Sequence, residues 1–297
     1  MSGRLPTIDL LDSGHRGTTV TVLGGVHGDE FEGVLAVRAL RAMLVGRLSR
    51  GCLRLVAPAH PDAWLACERE HPDEGGNLAR EFPGRDDGNA TQRVAHHLTT
   101  NAIVGSDVLI DLHSAGTRYA MPFLVGYVNA EEKIGEISRR LAETFGADFV
   151  WRHDGPPAPG RSLSVAHELG IPAIYSECRG GRSVREREVS GLVDGVLRVL
   201  DSFGMVQAAP APARRPVHVY GDGNTDEGIV AGCAGYLSIS VEIGELVYEG
   251  SVIATVRDEN FAVLETFVAP ADCRVMMWRR DARVAAGDTV CLLARPE

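Results

Sequence analysis

Short apolar runs alternate with helically spaced apolar residues along the first two thirds of the chain. Runs rich in β-branched and apolar residues predict buried strands at 18–25, 53–57, 104–112, 121–128 and 172–176. Apolar residues three or four positions apart predict helices at 31–44, 90–101, 131–145, 163–169 and 184–203. This alternation indicates an α/β fold with a mostly parallel or mixed sheet flanked by helices.

The pattern changes after residue 206. The stretch 207–216 is rich in proline and alanine, which predicts a semi-rigid linker. Beyond it, β-type runs separated by Gly and Asp turns occur at 236–241, 245–248, 251–256, 262–268 and 274–278. The sequence therefore predicts an α/β domain at 1–206, a linker at 207–216 and a smaller all-β domain at 217–297.

Composition narrows the classes of function. The chain has 40 acidic and 30 basic residues and no evident basic patch, so neither nucleic acid nor a membrane is an expected partner. Lys133 is the only lysine and lies in a charged helical pattern, which excludes Walker-loop and Schiff-base chemistry. Six scattered cysteines and the lack of an apolar signal region or an 18-residue apolar run predict a cytoplasmic protein.

Residues suited to binding a metal follow three of the predicted strands. His27 and Glu30 end the run Gly-Gly-Val-His-Gly-Asp-Glu after the first strand, His113 follows the third, and Glu177 follows the fifth. Because the carboxyl ends of parallel strands meet at one edge of a sheet, we expect these side chains to lie together. A catalytic zinc site needs three protein ligands, an open position for water and a carboxylate that takes the water's proton. The chain offers candidates for all of these roles.

Each candidate also has a simpler interpretation. An isolated His-x-x-Glu pair is mostly a surface coincidence, and His113 alone could be a core histidine. Asp111, on the same side of its strand as His113, could orient a ligand or cap the loop. Because a buried carboxylate requires a partner, Glu177 could instead form a structural ion pair with Arg179 or Arg182.

Four ordered segments resemble the succinylglutamate desuccinylase/aspartoacylase family. They are 24–30, Asn-Leu-Ala-Arg-Glu-Phe-Pro-Gly at 77–84, Asp-Leu-His at 111–113 and Ile-Pro-Ala-Ile-Tyr-Ser-Glu at 171–177. The resemblance covers about residues 18–205 and implies a fold like that of the zinc carboxypeptidases. Four motifs in order are far more specific than any one of them.

The resemblance also implies roles for individual residues. His27, Glu30 and His113 would bind one zinc ion per chain, and Glu177 would be the carboxylate that activates water. Arg80 would bind the carboxylate of the substrate or polarise the scissile carbonyl.

One position departs from the pattern of the family. The family usually has Asn-Arg before Phe-Pro-Gly, whereas this chain has Ala79 before Arg80. Asn77 could partly replace the missing amide in substrate binding. Arg161 could supply a second clamp for a carboxylate, although it could equally be a surface arginine at the start of a helix.

The C-terminal runs resemble the barrel-sandwich of biotinyl and lipoyl carrier domains. No lysine lies at the hairpin where such carriers are acylated, so this domain is not expected to be an acyl carrier. Two roles stay open: a cap that narrows access to the zinc, or a contact in a homo-oligomer.

Together these observations predict a zinc-dependent amidohydrolase. It would remove an acyl group from an N-acyl amino acid or a related small N-acylated amine, with that small molecule as its partner. A metallocarboxypeptidase acting on peptides shares the same chemistry and is the nearer alternative. A non-catalytic metal- or ligand-binding protein is a second, which Glu177 argues against because pure metal binding needs no general base.

Overall fold

The computed structural model describes residues 3–130, 132–207, 209–212 and 214–297. The helices are α1 Phe31–Leu44, α2 Pro61–Ala66, α3 Ala90–Leu98, α4 Glu132–Phe145, α5 Ser162–Glu168 and α6 Glu186–Ser202. The strands of the first part are β1 Ile8–Asp12, β2 Thr19–Gly24, β3 Cys52–Val56, β4 Val108–Leu112, β5 Tyr119–Ala120, β6 Leu124–Asn129, β7 Phe149–Asp154 and β8 Ala173–Glu177. The later strands are β9 Val217–Tyr220, β10 Ile229–Val230, β11 Gly235–Ile239, β12 Leu246–Val247, β13 Val252–Arg257, β14 Val263–Val268, β15 Cys273–Arg279, β16 Arg283–Val284 and β17 Thr289–Pro296.

The main sheet is mixed, which is one of the two arrangements that the sequence predicts. Strands β3, β2, β4 and β8 are parallel neighbours in that order. Strand β6 then runs antiparallel to β8, and β7 and β9 continue parallel to β6. The carboxyl ends of β2, β4 and β8 therefore meet at one edge of the sheet.

Helices cover both faces of this sheet. Helices α1, α4 and α6 pack on one face, where buried Leu40, Phe145 and Val196 share one apolar cluster with strand residues. Helices α3 and α5 pack on the other face through Leu98 and Val165. Strand β4 is buried along its whole length, as expected for a strand covered on both sides. No helix among the described residues is long and apolar enough to cross a membrane.

Several elements differ from the sequence-based prediction. The helix predicted at 90–101 ends at Leu98 and continues as a π-turn, Thr99–Ile103. The strand predicted from 104 begins at Val108, because Gly105 adopts a positive φ of 75° and breaks the extended backbone. The hydrophobic pattern does not predict β1, β7 or α2, which are short or lack alternation.

The β-type runs predicted after residue 230 all form strands, and four strands make a separate sheet in the order β14-β13-β11-β16. The other strands of this region extend the main sheet. Strand β9 pairs with both β7 and β17, and β5 pairs with β15. Buried Met121, Trp151, Val219, Met276 and Leu292 form one apolar cluster across this junction. The division of the chain into domains stays a prediction.

Candidate active site

The predicted metal ligands lie at the ends of neighbouring strands. His27 and Glu30 occupy the loop between β2 and α1, and His113 follows β4. This loop lies directly against α2, since a Cβ atom added to Gly28 would lie 2.0 Å from the backbone of Ala63. Glycine is therefore required for the loop to take this path.

The structure brings the three side chains together. His27 Nδ1 lies 2.7 Å from Glu30 Oε1, and His113 Nδ1 lies 2.8 Å from Glu30 Oε2. The candidate donor atoms of all three residues lie within 4.8 Å of one another. The exposed fractions of the His27, Glu30 and His113 side chains are only 4%, 2% and 12%. These three residues, called the metal cluster below, thus form a compact group that is shielded from solvent.

Polar groups lie behind the metal cluster, next to the outer nitrogens of both imidazoles. His27 Nε2 donates to Asn77 Oδ1 at 3.1 Å. His113 Nε2 lies at an ion-pair distance of 3.2 Å from Asp111 Oδ1, without hydrogen-bond geometry, and the Ser162 hydroxyl donates to the other oxygen of Asp111. Histidine ligands in metal sites are usually held in this way, with one nitrogen engaged and the other turned to the metal.

Glu30 is held by further contacts that the sequence does not predict. Arg69 Nη1 donates to Glu30 Oε1 at 3.2 Å and lies 3.2 Å from His27 Nδ1. The backbone N–H of Ser114 donates to Glu30 Oε2 at 3.1 Å, and its hydroxyl donates to buried Glu32 at 2.8 Å. Arg69 lies in a short charged run without periodicity, so only the folded chain identifies it.

The electrostatics of the metal cluster fit a cation. Burial alone would raise the pKa of Glu30, but His27 and His113 overcome it and hold that pKa well below its usual range. Burial likewise opposes charge on His113, but Asp111 and Glu30 raise its pKa well above 6.5. Burial and the nearby Arg69 lower the pKa of His27, which leaves its imidazole neutral, as a metal ligand must be. The two imidazoles and one carboxylate suit a divalent transition metal.

Glu177 ends β8, next to the strand that positions His113. Its Oε2 atom is buried and has no hydrogen-bond partner in the part of the chain that the structure describes. Burial and the nearby Glu30 raise the pKa of Glu177 to about 8. Across the described ranges 3–130, 132–207, 209–212 and 214–297, neither Arg179 nor Arg182 pairs with Glu177, so the structural ion-pair interpretation is wrong. A carboxylate that is free to exchange a proton lies beside the metal cluster.

One cavity of about 410 Å³ joins these groups. This volume is within the range of pockets that hold small molecules. Among the predicted site residues, the lining includes His27, Glu30, Arg80, His113, Arg161 and Glu177. Asn77 is not part of that lining, and its side-chain oxygen instead accepts from His27 Nε2 and from the backbone N–H of Ala79. This geometry favours a role for Asn77 in orienting His27, while its role in substrate binding stays a prediction.

The two arginines of the cavity are neighbours. Arg80 ends the 3₁₀ helix Leu78–Arg80, and Arg161 precedes α5. Gly160, at a φ of 83°, lies so close that a Cβ atom there would be 2.4 Å from the Arg80 carbonyl oxygen. Burial and the adjacent Arg80 lower the pKa of the Arg161 guanidinium. Two cations side by side in a cavity are suited to binding an anion.

A loop that follows β9 reaches both arginines. Arg80 Nε and Nη2 donate to Asp226 Oδ2 at 3.1 and 2.8 Å. Arg161 Nη2 donates to Asn224 Oδ1 at 2.8 Å. These partners are separated from the arginines by 146 and 63 positions in the sequence, so no local pattern predicts the contacts.

Two further polar side chains of the lining form a chain that ends on the same loop. His153 Nδ1 donates to the carbonyl oxygen of Gly221 at 2.8 Å, so His153 Nε2 accepts the hydroxyl proton of Tyr175, also at 2.8 Å. Tyr175 precedes Glu177 by two positions on β8, and strand alternation therefore places both on one side. From the sequence, this alternation could have predicted that Tyr175 lies on the same side of the strand as Glu177.

A mixed α/β fold that gathers a His–Glu–His cluster, a carboxylate and two arginines around a small cavity is typical of small-molecule hydrolases. The chain matches the succinylglutamate desuccinylase/aspartoacylase catalytic domain over residues 16–203, and it belongs to that family. The family resemblance drawn from the four sequence segments is confirmed.

Known relatives extend over nearly the whole chain. The N-alpha-acetyl-L-2,4-diaminobutyric acid deacetylase of Halomonas elongata is 29% identical over 285 residues, which are 94% of this chain and 82% of that protein. A succinylglutamate desuccinylase/aspartoacylase from Rhodobacter sphaeroides is similar in structure, with a TM-score of 0.89, 25% identity and coverage of 98% of this chain and 88% of the other. The product-bound ectoine utilization protein EutE (DoeB) of Ruegeria pomeroyi shares the fold at a TM-score of 0.88 and 22% identity, over 97% and 88% of the two chains.

Proposed function

We propose that the protein is a zinc-dependent amidohydrolase that removes an acyl group from a small N-acyl amino acid. The observation that carries this proposal is that Glu177, whose carboxylate makes no hydrogen bond or ion pair among the described residues, lines the same cavity as the His27, Glu30 and His113 cluster. A buried carboxylate without a partner is costly, and a proton-transfer role accounts for it.

His27, Glu30 and His113 would hold the zinc ion, one per chain, as zinc carboxypeptidases hold theirs. His27 and His113 would each use Nδ1, because their Nδ1 atoms face Glu30, whereas their Nε2 atoms face Asn77 and Asp111. A zinc ion bound in such a site polarises a carbonyl group and lowers the pKa of a water molecule.

Glu177 would carry the proton during hydrolysis. It takes a proton from the water that attacks the amide carbon and returns it to the nitrogen as the carbon–nitrogen bond breaks. Burial and the nearby Glu30 raise the pKa of Glu177 to about 8, so this carboxyl group can both take and return a proton near neutral pH. Arg69, beside Glu30, offers an N–H donor for the negative charge that develops on the carbonyl oxygen.

Arg80 and Arg161 would bind the carboxylate of the substrate. The net charge of −10 offers no steering for an anion, so these arginines must create a local positive site. At the mouth of the cavity lie the exposed carboxylates Asp154, Asp222 and Glu227. They suit a substrate that also carries an amine, as the substrate named for the Halomonas elongata relative does.

The remaining predictions concern the rest of the chain. We propose that residues 1–206 are the catalytic domain and that 207–216 link it to the β region. We also propose that 217–297 cap the zinc site, with the loop that contacts the two arginines as the covering segment. A homo-oligomer contact through the β region and a cytoplasmic location stay predictions.

The experiment that tests the function is amine release from a panel of N-acyl amino acids, N-acyl diamino acids and short peptides. We expect release from N-acyl amino acids that a chelator abolishes and added zinc restores. Release from peptide C-termini alone would favour the metallocarboxypeptidase. Binding of zinc and ligand with no release would favour the binding protein.

A variant of Glu177 separates catalysis from metal binding. Glu177→Gln should retain zinc and lose about 10²- to 10⁴-fold in kcat, the usual contribution of a positioned general base. Glu168→Gln, at an exposed position of α5, is the matched control and should turn over normally. Full activity of Glu177→Gln would refute the assigned role.

A further inference from the structure

The loop 221–227 supplies the contacts that hold both arginines of the cavity. Asp226 accepts from Arg80, and Asn224 accepts from Arg161. The two contacts are joined, because Asn224 Oδ1 also accepts from the backbone N–H of Asp226 at 3.2 Å. A single loop therefore sets the positions of two guanidinium groups that would otherwise repel each other.

The donors that Arg80 uses leave one edge of its guanidinium group free. Nε and Nη2 donate from one side to Asp226, and Nη1 donates to the carbonyl oxygen of Ala79 at 2.9 Å. A guanidinium group has five N–H bonds, so one remains on Nη1 and one on Nη2. Those two N–H bonds are available to donate to a carboxylate.

The loop is itself anchored to the wall of the cavity. The Gly221 carbonyl oxygen accepts from His153 Nδ1 at 2.8 Å. Gly223 packs on the same ring, and a Cβ atom there would lie 2.5 Å from His153 Cε1. The Asn224 backbone N–H donates to Asp222 Oδ1 at 2.8 Å, which closes the turn. The position of the loop is thus tied to the strand that carries His153.

We infer that Asp226 and Asn224 are positioning residues that orient Arg80 and Arg161 to bind the carboxylate of the substrate. This inference rests on the proposed deacylase function, because it assigns the arginines to a substrate carboxylate. It makes the C-terminal region part of the binding site, although neither Asp226 nor Asn224 touches the reacting atoms.

The exposure of the Arg80–Asp226 pair determines where its effect is expected. The exposed fractions of the two side chains are 29% and 61%. Exposed ion pairs contribute little to folding stability, so loss of Asp226 should leave the melting temperature nearly unchanged. The effect should fall on substrate binding, which requires the correct orientation of Arg80.

The test compares Asp226→Ala with Glu259→Gln. Glu259 is exposed in the turn between β13 and β14 and does not line the cavity, so its variant removes the same charge away from the arginines. Each variant is assayed with an N-acyl amino acid and with the corresponding N-acyl amine that lacks the carboxylate. We expect Asp226→Ala to raise KM for the amino acid about tenfold, with kcat within about threefold, because one charge-assisted contact is lost. KM for the carboxylate-free amine should not change. For the amino acid substrate, KM of Asp226→Asn should lie between the values of the wild type and of Asp226→Ala.

Several results would overturn the inference. A lower KM in Asp226→Ala would mean that Asp226 competes with the substrate for Arg80. Equal effects in Asp226→Ala and Glu259→Gln would mean a general charge effect. Equal effects on both substrates, or loss of zinc, would mean a structural role. Unchanged kinetics would mean that Arg80 needs no support from the loop.

Binding measurements separate this inference from the proposed function. The affinity for the N-acyl amino acid is measured in Glu177→Gln with and without Asp226→Ala. If removal of Asp226 weakens binding but the wild-type protein shows no turnover, the deacylase function is refuted and the positioning role is supported. Equal affinities would refute the positioning role whatever the turnover.

Discussion

The metal side and the arginine side of the cavity are built in different ways. His27, Glu30 and His113 come from the ends of adjacent parallel strands, and their side chains are 12% exposed or less. Arg80 and Arg161 lie on short helical segments and are held by a loop from a distant part of the chain. The metal side is thus set by the sheet, whereas the arginine side depends on a second region of the protein.

This difference has a functional consequence. A site on buried strand ends has fixed geometry, which metal chemistry requires. A site on a loop can vary without disturbing the sheet, which suits groups that select the substrate. We therefore expect changes on the metal side to abolish turnover and changes on the arginine side to alter KM.

The largest effect is expected from removal of a metal ligand. His113→Ala should lose the metal and lower turnover by about 10³-fold or more, since several kcal/mol of charge stabilisation are lost. Metal content and kcat are measured together, with exposed His15→Ala as the control. If His113→Ala kept its metal and most of its activity, the distinction between the two sides would fail.

Burial next to the loop that carries His27 also predicts a dependence of stability on pH, because the His60 backbone N–H donates to the Gly25 carbonyl oxygen. His60 is fully buried, neither of its nitrogens has a hydrogen-bond partner among the described residues, and burial and the nearby His71 lower its pKa from 6.5 to about 4. The unfolded chain therefore takes up this proton near pH 6.5 and the folded protein only near pH 4, so stability falls as pH drops through this window. The contribution is at most about 3 kcal/mol.

Urea unfolding between pH 7 and pH 4 measures this effect. His60→Leu keeps the volume without the titrating group and should lose this part of the pH dependence. The same pH dependence in wild type and His60→Leu would show that other groups cause it.

A smaller effect is expected from the residue behind His113. Asp111→Asn keeps the shape but weakens the charge that orients the imidazole, and such changes typically cost 10- to 100-fold, roughly, in metal affinity. Competition with a chelator measures the affinity, and Asp9→Asn on β1 is the control. Unchanged affinity would mean that the sheet alone orients His113.

The smallest effect is expected on the arginine side. Arg80→Lys keeps the charge but loses the planar fork, so KM for a carboxylate substrate should rise about tenfold with metal content unchanged. Arg85→Lys, an exposed arginine in an ion pair with Asp87, is the control. A fall in kcat as large as that of the metal-side variants would place Arg80 in the chemical step.

The accuracy of prediction from the sequence follows the same division. The strand-to-helix turn at 24–30 and the positions of His113 and Glu177 follow from local hydrophobic pattern, and helix α1 begins and ends where the spacing predicts. The sequence does not predict Arg69, because no periodicity marks its segment. It predicts Asn77 as a substrate-binding residue, whereas the structure places its oxygen on His27.

The sequence alone determined the alternation of strands and helices, the family and the set of metal-ligand candidates, because these depend on local pattern and on motifs in order. Only the tertiary structure decided that Glu177 Oε2 is buried without a hydrogen-bond partner among the described residues, that Arg80 and Arg161 are neighbours, and that a loop near residue 224 holds them. The physical reason is that such contacts join residues far apart in the chain, and their geometry is fixed only when the sheet closes and the core is packed.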